Sequence, residues 1–439
     1  MAQDLFIRNA RLRGREGLFD IAVRAGKVEK ITPVGTGAGP DGGTGSAGGT
    51  GAGSGGSGGA AGTAAAAGAR TWDRPTREGE TIDAKGNLVT EPFVNGHLHL
   101  DKVYTLERLG NEALKAYQSS GMGGAMTAIE LAAAVKNDYD QSWIVPNVRR
   151  AVERAVSFGN THIRAFADVD TTGKLEGVKA LLQVRDEMKD VCTLEVVAFP
   201  QDGVIRDPGA EDYVKQALDL GADCVGGIPW IELTDADAQE HIDRMMALAV
   251  KYDRDVSMLV DDTGDPNLRT LEMLAVKTIE IGWEGRVTAQ HARAMATYPE
   301  PTFRRLVGLL KKAQISVVSD PQTGPLHARV QDLRAADIPV ALGQDDCADA
   351  YYPFGRNNML EVGFLASHLL WMTSFEDLEA IYDMLTKDAA RALGIDGYGL
   401  SERAAANLVV LPQPTVWEAL WEHEAPAFVV REGRIIAEA

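Results

Sequence analysis

The sequence is short of basic residues and of cysteine, and it has no long apolar run. Lysine and arginine number 44 against 63 aspartates and glutamates, a formal charge of −19. Nucleic acid is held by clustered lysine and arginine, so this balance argues against a nucleic-acid partner. It suits a cytoplasmic protein that handles small neutral or cationic molecules. Three cysteines, Cys192, Cys224 and Cys347, are too few for a disulfide framework and form no CxxC pair, so a reducing compartment is expected. No stretch reaches the roughly 18 uninterrupted apolar residues that would cross a membrane. The opening MAQDLFIRNARLRG alternates charge with hydrophobe and lacks the apolar centre of a secretory signal.

Hydrophobic residues make up 45% of the chain, enough for a sizeable core. The 439 residues exceed the ~250–300 at which one core stops growing, so a large domain with a smaller companion is expected. The first segment, DLFIRNARLRG and then DIAVRAGKVEKITPV, reads as short strands broken at Gly14 and at Ala25-Gly26. From Gly35 to about Ala69 follows a run of glycine, alanine, serine and threonine with one charge, Asp41. Such a run cannot bury enough apolar area to offset its ordering entropy, and it reads as a flexible surface insertion. A phosphate-cradling loop would need a strand before it and a helix with Lys-Ser/Thr after it, and neither is there.

Beyond GETIDAKGNLVTEPFVNGHLHLDK, apolar strand-like runs alternate with amphipathic helical stretches about eight times. The strand candidates lie near 89–100, 161–170, 193–201, 224–230, 255–262, 286–292, 315–321 and 338–346. Repeated βα units with buried strands imply parallel strands and right-handed crossovers. Eight units fit an α/β fold of the (β/α)8 TIM-barrel type better than an open sheet. The last segment, with ANLVVLP and AFVVREGRIIAE, returns to short strands. The expected layout is a barrel over 91–396 and a small β-sandwich domain from 1–90 with 397–439, carrying the 35–69 insertion.

Chemistry in such a barrel sits at the carboxyl ends of the strands. The first strand ends in His97-Leu98-His99-Leu100-Asp101-Lys102. With a period of two, His97 and His99 point to one side, and two imidazoles one pleat apart can share a metal ion. The sixth strand ends in Gln290-His291-Ala292, placing His291 as a ligand or an acid/base group. The eighth ends in Gln344-Asp345-Asp346. Two carboxylates there are costly unless paired with cations, so Asp345 is expected to complete the metal site and take a proton from water. Asp346 either shares that site or pairs with a lysine or arginine. The fifth strand ends in Asp261-Asp262, of which Asp262 is the candidate for the site, a solvated turn being the alternative. Gln201, after the third strand, can read an amide or ring edge or merely cap a loop.

The HxHxDK string at 97–102, VVAFPQDG, RVTAQHARAM, and GQDD followed by YYPFGRNNMLEV together resemble the amidohydrolase superfamily, within it the cytosine deaminase branch with its triazine-ring hydrolases. The likeness runs over nearly the whole chain. It implies that His97, His99 and Asp345 bind one divalent metal, zinc or iron. It implies that His291 holds the attacking hydroxide or orients the substrate, and that Gln201 reads the ring amide. Lys102 and Asp346 join the substrate-binding candidates, and a homo-oligomer is common in the branch. Four positions depart from the pattern. Leu259 stands where the branch has a third histidine ligand, Phe166 replaces a histidine, and Gln344 and Asp262 replace a histidine and a glutamate. Either His291 then joins the metal ligands, or Asp261 or Asp262 does, or metal affinity falls. Phe166, Leu259 and Trp230 make the pocket more apolar, as a larger or more aromatic substrate than cytosine would need.

The reaction implied is metal-assisted hydrolysis of a C–N bond in a nitrogen heterocycle, with a small-molecule substrate and no membrane or nucleic-acid partner. Asp345 would accept the water proton, His291 would steady the oxyanion and Asp262 would protonate the leaving nitrogen. Opening of a cyclic amide shares these steps. A metal-poor homologue that binds a small molecule without turnover is the reading that Leu259 would favour.

Overall fold

The computed structural model describes residues 5–35, 79–109, 115 and 134–439. Most of the glycine-rich 35–69 insertion lies outside the described residues. The strands are β1 (Leu5–Ala10), β2 (Phe19–Arg24), β3 (Lys27–Pro33), β4 (Glu80–Asp83), β5 (Val89–Thr90), β6 (Phe93–His99), β7 (Asn160–Asp168) and β8 (Thr193–Phe199). They continue with β9 (Cys224–Gly227), β10 (Asp255–Val260), β11 (Val287–His291), β12 (Ser316–Ser319), β13 (Val340–Leu342), β14 (Leu408–Val410), β15 (Phe428–Arg431) and β16 (Arg434–Glu438).

The runs of buried β-branched residues become an eight-stranded parallel sheet in chain order from β6 to β13. The sheet closes where Leu98 bridges Asp345: the Asp345 amide donates to the His97 carbonyl at 2.9 Å, and the His99 amide donates to the Asp345 carbonyl at 2.8 Å. Closure of the barrel and convergence of the candidate ligands are therefore one event. Helices cover the outside, as parallel crossovers require. The helix Gln141–Ser157 starts at Asp140, whose carboxylate accepts from the Ser142 amide; Asp235–Tyr252 starts at Thr234, whose hydroxyl accepts from the Asp237 amide. Among the described residues no helix is long and apolar enough to cross a membrane.

The flanking segments form two four-stranded sheets, β3-β2-β1-β4 and β16-β15-β14-β5. Their inner faces, Ile7, Ile21 and Val28 from one and Leu408, Val410 and Val430 from the other, share one hydrophobic core. The fold is thus a TIM-type barrel with a sandwich built from both ends of the chain.

Inside the amino-terminal half of the barrel lies a fully buried arginine. Arg164 Nε donates to Glu195 Oε2 at 2.7 Å, Nη1 to Thr288 Oγ1 at 3.0 Å and Nη2 to the Leu393 carbonyl at 3.3 Å. One side chain thereby ties β7 to β8, β11 and the helix Lys387–Leu393. Burial opposes ionisation of Glu195, but Arg164 and His162 outweigh it and hold its carboxyl well below the usual carboxylate range.

Candidate metal centre and active site

Strand periodicity turns His97 and His99 into the barrel mouth, and the ring centroids sit 4.9 Å apart. Asp345 meets them because its backbone is pinned to both neighbours of Leu98. Its φ of 65° is left-handed, as is that of His291, and non-glycine residues hold such angles only where surrounding bonds enforce them. Asp345 Oδ1 then lies 3.2 Å from His97 Nε2, 3.7 Å from His99 Nε2 and 3.9 Å from His291 Nε2. The orientation of His97 is set behind it. Gln290 Nε2 donates to Ser257 Oγ at 2.8 Å, which leaves Gln290 Oε1 to accept from His97 Nδ1 at 3.0 Å and turns Nε2 toward Asp345.

This set fits a divalent cation. His97 Nε2 is buried without a hydrogen-bond partner, and an ionised carboxylate has no hydrogen to give it. A cation satisfies both at once. His97, His99 and Asp345 bring one ligand atom each within 4.8 Å of one another, the three-ligand pattern of catalytic zinc with a position left open. His291 stands in a second such group with Asp320 and Asp345.

Charge in the site follows from burial and neighbours. Burial first, then Lys102 and His97, hold the His99 imidazole well below its ordinary range. Burial opposes ionisation of Asp345, but His291, His97 and His99 keep its carboxyl well below the usual range. Burial lowers His291, yet Asp262 and Asp345 outweigh it and bring it up to about 9. Burial raises the Asp262 carboxyl from its ordinary value against the pull of Arg293, whose Nη1 sits 3.0 Å away.

The other expected residues lie around this centre. Lys102 Nζ donates to Asp168 Oδ1 at 2.8 Å and to Gln201 Oε1 at 2.9 Å. An ammonium group only donates, so the Gln201 oxygen must face it and Nε2 is left for the pocket. Phe166 packs against the His97 ring with centroids 4.2 Å apart, and it joins Leu259, Phe199 and Ile228 in an apolar cluster with Trp230 and Tyr351 at its edge. Asp261 takes a different role. Its carboxylate accepts from the Thr270 amide and hydroxyl, from Leu271 and from Tyr298, fixing the start of the helix Thr270–Ile281. Sequence reasoning passed over Gln290, Arg293 and Asp320. Arg293 Nη2 lies 3.6 Å from Asp345 Oδ2 and donates to Thr323 Oγ1 at 2.7 Å. Its signal was its place two residues after His291.

Asp346 is in contact with Asp349 and feels the charge of Lys102. Burial, the Asp345 charge and Asp349 push Asp346 well above the carboxylate range, and burial pushes Asp349 up to about 6. A carboxyl that keeps its proton longer folded than unfolded stabilises the fold at acid pH and loses that contribution as pH rises. The window runs from about 4, the ordinary carboxylate value, through about 6. Asp349→Asn is expected to flatten the decline in melting temperature between these values. An unchanged slope would show that the pair does not hold a shared proton.

Residues 144–437 match the Amidohydrolase family model, Amidohydro_3. The chain is 29% identical over 436 residues to N-isopropylammelide isopropyl amidohydrolase from Pseudomonas sp. (strain ADP), covering 99% of this chain and 97% of that one. It is 27% identical to pterin deaminase from Rhizobium rhizogenes, over 81% of this chain and 82% of the relative. The structure of 5-methylcytosine deaminase from Klebsiella pneumoniae liganded with phosphonocytosine superposes with a TM-score of 0.83 at 29% identity, covering 99% of this chain and 98% of that one. With two thirds of its length matched by the family model, this chain belongs to the amidohydrolase family and is an enzyme of carbon–nitrogen bonds other than peptide bonds.

Proposed function

We propose that this enzyme deaminates or dealkylaminates a flat nitrogen heterocycle, releasing ammonia or an amine, with one zinc or iron ion held by His97, His99 and Asp345. The convergence of two imidazole Nε2 atoms and a carboxylate oxygen on one buried point carries this reading. A divalent ion there supplies a Lewis acid that lowers the pKa of water from 15.7 to about 7. Asp345, kept ionised by three imidazoles, would accept a proton from the attacking water. His291, beside it, donates to the oxygen that gains charge at the ring carbon. Asp262, buried against Arg293, carries a proton to the departing nitrogen. Gln201 Nε2 reads an acceptor on the ring edge, with its amide held by Lys102. Phe166, Leu259 and Trp230 wall the pocket with apolar surface and keep water from the ring.

Relatives whose names specify N-isopropylammelide, pterin and 5-methylcytosine support a substrate that is an amino-substituted, oxo-bearing ring. Protein loaded with about one metal equivalent and offered aminopyrimidines, aminopterins and N-alkylaminotriazines is expected to release ammonia or amine from at least one class. No release and no ring opening with the metal bound would refute the reading. Failure to hold zinc or iron at all would favour the non-catalytic binder that Leu259 suggests.

A further inference from the structure

Asp320 ends the chain's advance along β12, in the string SVVSDP, and its carboxylate is buried at 2% exposure. Oδ2 lies 3.1 Å from His291 Nδ1, at ion-pair distance though not in the alignment of a full hydrogen bond. Among the described residues neither oxygen of Asp320 receives a hydrogen bond. A carboxylate so placed is costly unless something answers it. The backbone does not let it drift: the Asp320 carbonyl accepts from the Thr323 amide at 3.2 Å and from its hydroxyl at 3.0 Å. Space is reserved for it as well. A Cβ on Gly343 would stand 2.2 Å from Asp320 Oδ1 and 2.7 Å from the His97 Cβ, so only glycine leaves the carboxylate room to reach the ring.

Resting on the role given to His291 above, we infer that Asp320 is a positioning residue: it accepts a hydrogen bond from His291 Nδ1–H, fixes the ring's orientation, and thereby aims Nε2–H at the reacting centre. An imidazole has two nitrogens, and it can donate from Nε2 while Nδ1–H is held only when both carry a proton, an arrangement that a carboxylate at Nδ1 favours. His97 is oriented by a neutral amide, Gln290; His291 is oriented by a charge. Contacts of this kind are often long before substrate tightens them.

The test uses the metal-loaded full chain with 15N-labelled histidine and the His291→Ala variant to assign the resonances. In the parent protein the His291 Nδ1 is expected to be protonated. Asp320→Asn and Asp320→Ala should shift the His291 Nδ1 resonance while leaving one metal equivalent bound. With the heterocycle found in the screen above, kcat should fall roughly 10–100-fold with KM little changed, the scale seen when an orienting partner is removed. In a His291→Ala background the same substitutions should add almost nothing. If neither Asp320 variant folds, Gly343→Ala, which displaces the carboxylate without removing it, should give the same change at His291. An unaltered His291 Nδ1 resonance overturns the proposal, as does an equal loss of kcat with and without His291. A second metal equivalent that disappears on Asp320 substitution overturns it in favour of a cation held by His291, Asp320 and Asp345. The nitrogen measurement needs no substrate, so it stands or falls apart from the assigned reaction.

Discussion

Asp345→Asn is expected to lower kcat by about a thousand- to ten-thousand-fold, the upper range for a lost general base. Asparagine is nearly isosteric, and the bonds that fix position 345 to His97 and His99 are made by its backbone. The barrel should therefore close as before, with an unchanged melting temperature to within a few degrees. What disappears is the negative charge on which three imidazoles and Arg293 converge. Metal affinity should fall with it, because an amide oxygen is a weaker ligand than a carboxylate. Steady-state kinetics with metal analysis on the same preparation checks both. A kcat within tenfold of the parent would mean that Asp345 neither holds the metal nor takes the proton. The parent's Asp345 carboxyl lies well below the usual range, so its charge should persist across neutral pH. Any acid limb there must then come from another group.

The second large effect concerns stability. Arg164→Met should cost about 3–5 kcal/mol, the range for removing one partner of a buried ion pair. Methionine fills much of the volume but leaves Glu195, the Thr288 hydroxyl and the Leu393 carbonyl without the donor that joined them. His162 still lies 3.0 Å from Glu195 and limits the loss. The double variant Arg164→Met/Glu195→Leu should recover part of the stability, since replacing a whole buried pair with apolar residues is far cheaper than breaking it. Denaturant unfolding of the three proteins measures this. A cost below about 1 kcal/mol for the single variant would show that the guanidinium is already poorly compensated. Glu195 also predicts a direction with pH. A carboxyl held below its unfolded value contributes stability above that value and loses it as pH falls through the depressed one. Arg164→Met should therefore remove part of the acid sensitivity.

Local pattern alone carried the sequence a long way. Buried strands read as continuous apolar runs, and each of the eight candidates became a barrel strand, with ends shifted where turns intervene. The run near 89–100 splits in two: β5 pairs with β14 in the sandwich, and only β6 enters the barrel. The run at 224–230 stops at Gly227, and Pro229–Ile231 forms a 3-10 turn that swings Trp230 to the pocket edge. His97, His99 and Asp345 were legible because strand periodicity and position at a strand end are properties of a few consecutive residues.

Sequence by itself fixed which side chains could do chemistry, because residue type and alternation along a strand are local. Tertiary structure decided how they divide the work. Asp261 and Asp262 are neighbours in the chain, yet the first is consumed by Thr270 and Tyr298 and only the second meets Arg293. Asp320, Gln290 and Arg293 gain their meaning from partners on other strands, and Gly343 from the carboxylate and imidazole that crowd it. The physical reason is that an orienting contact depends on the register between strands. That register is set only when β6 meets the chain after β13 and the barrel closes.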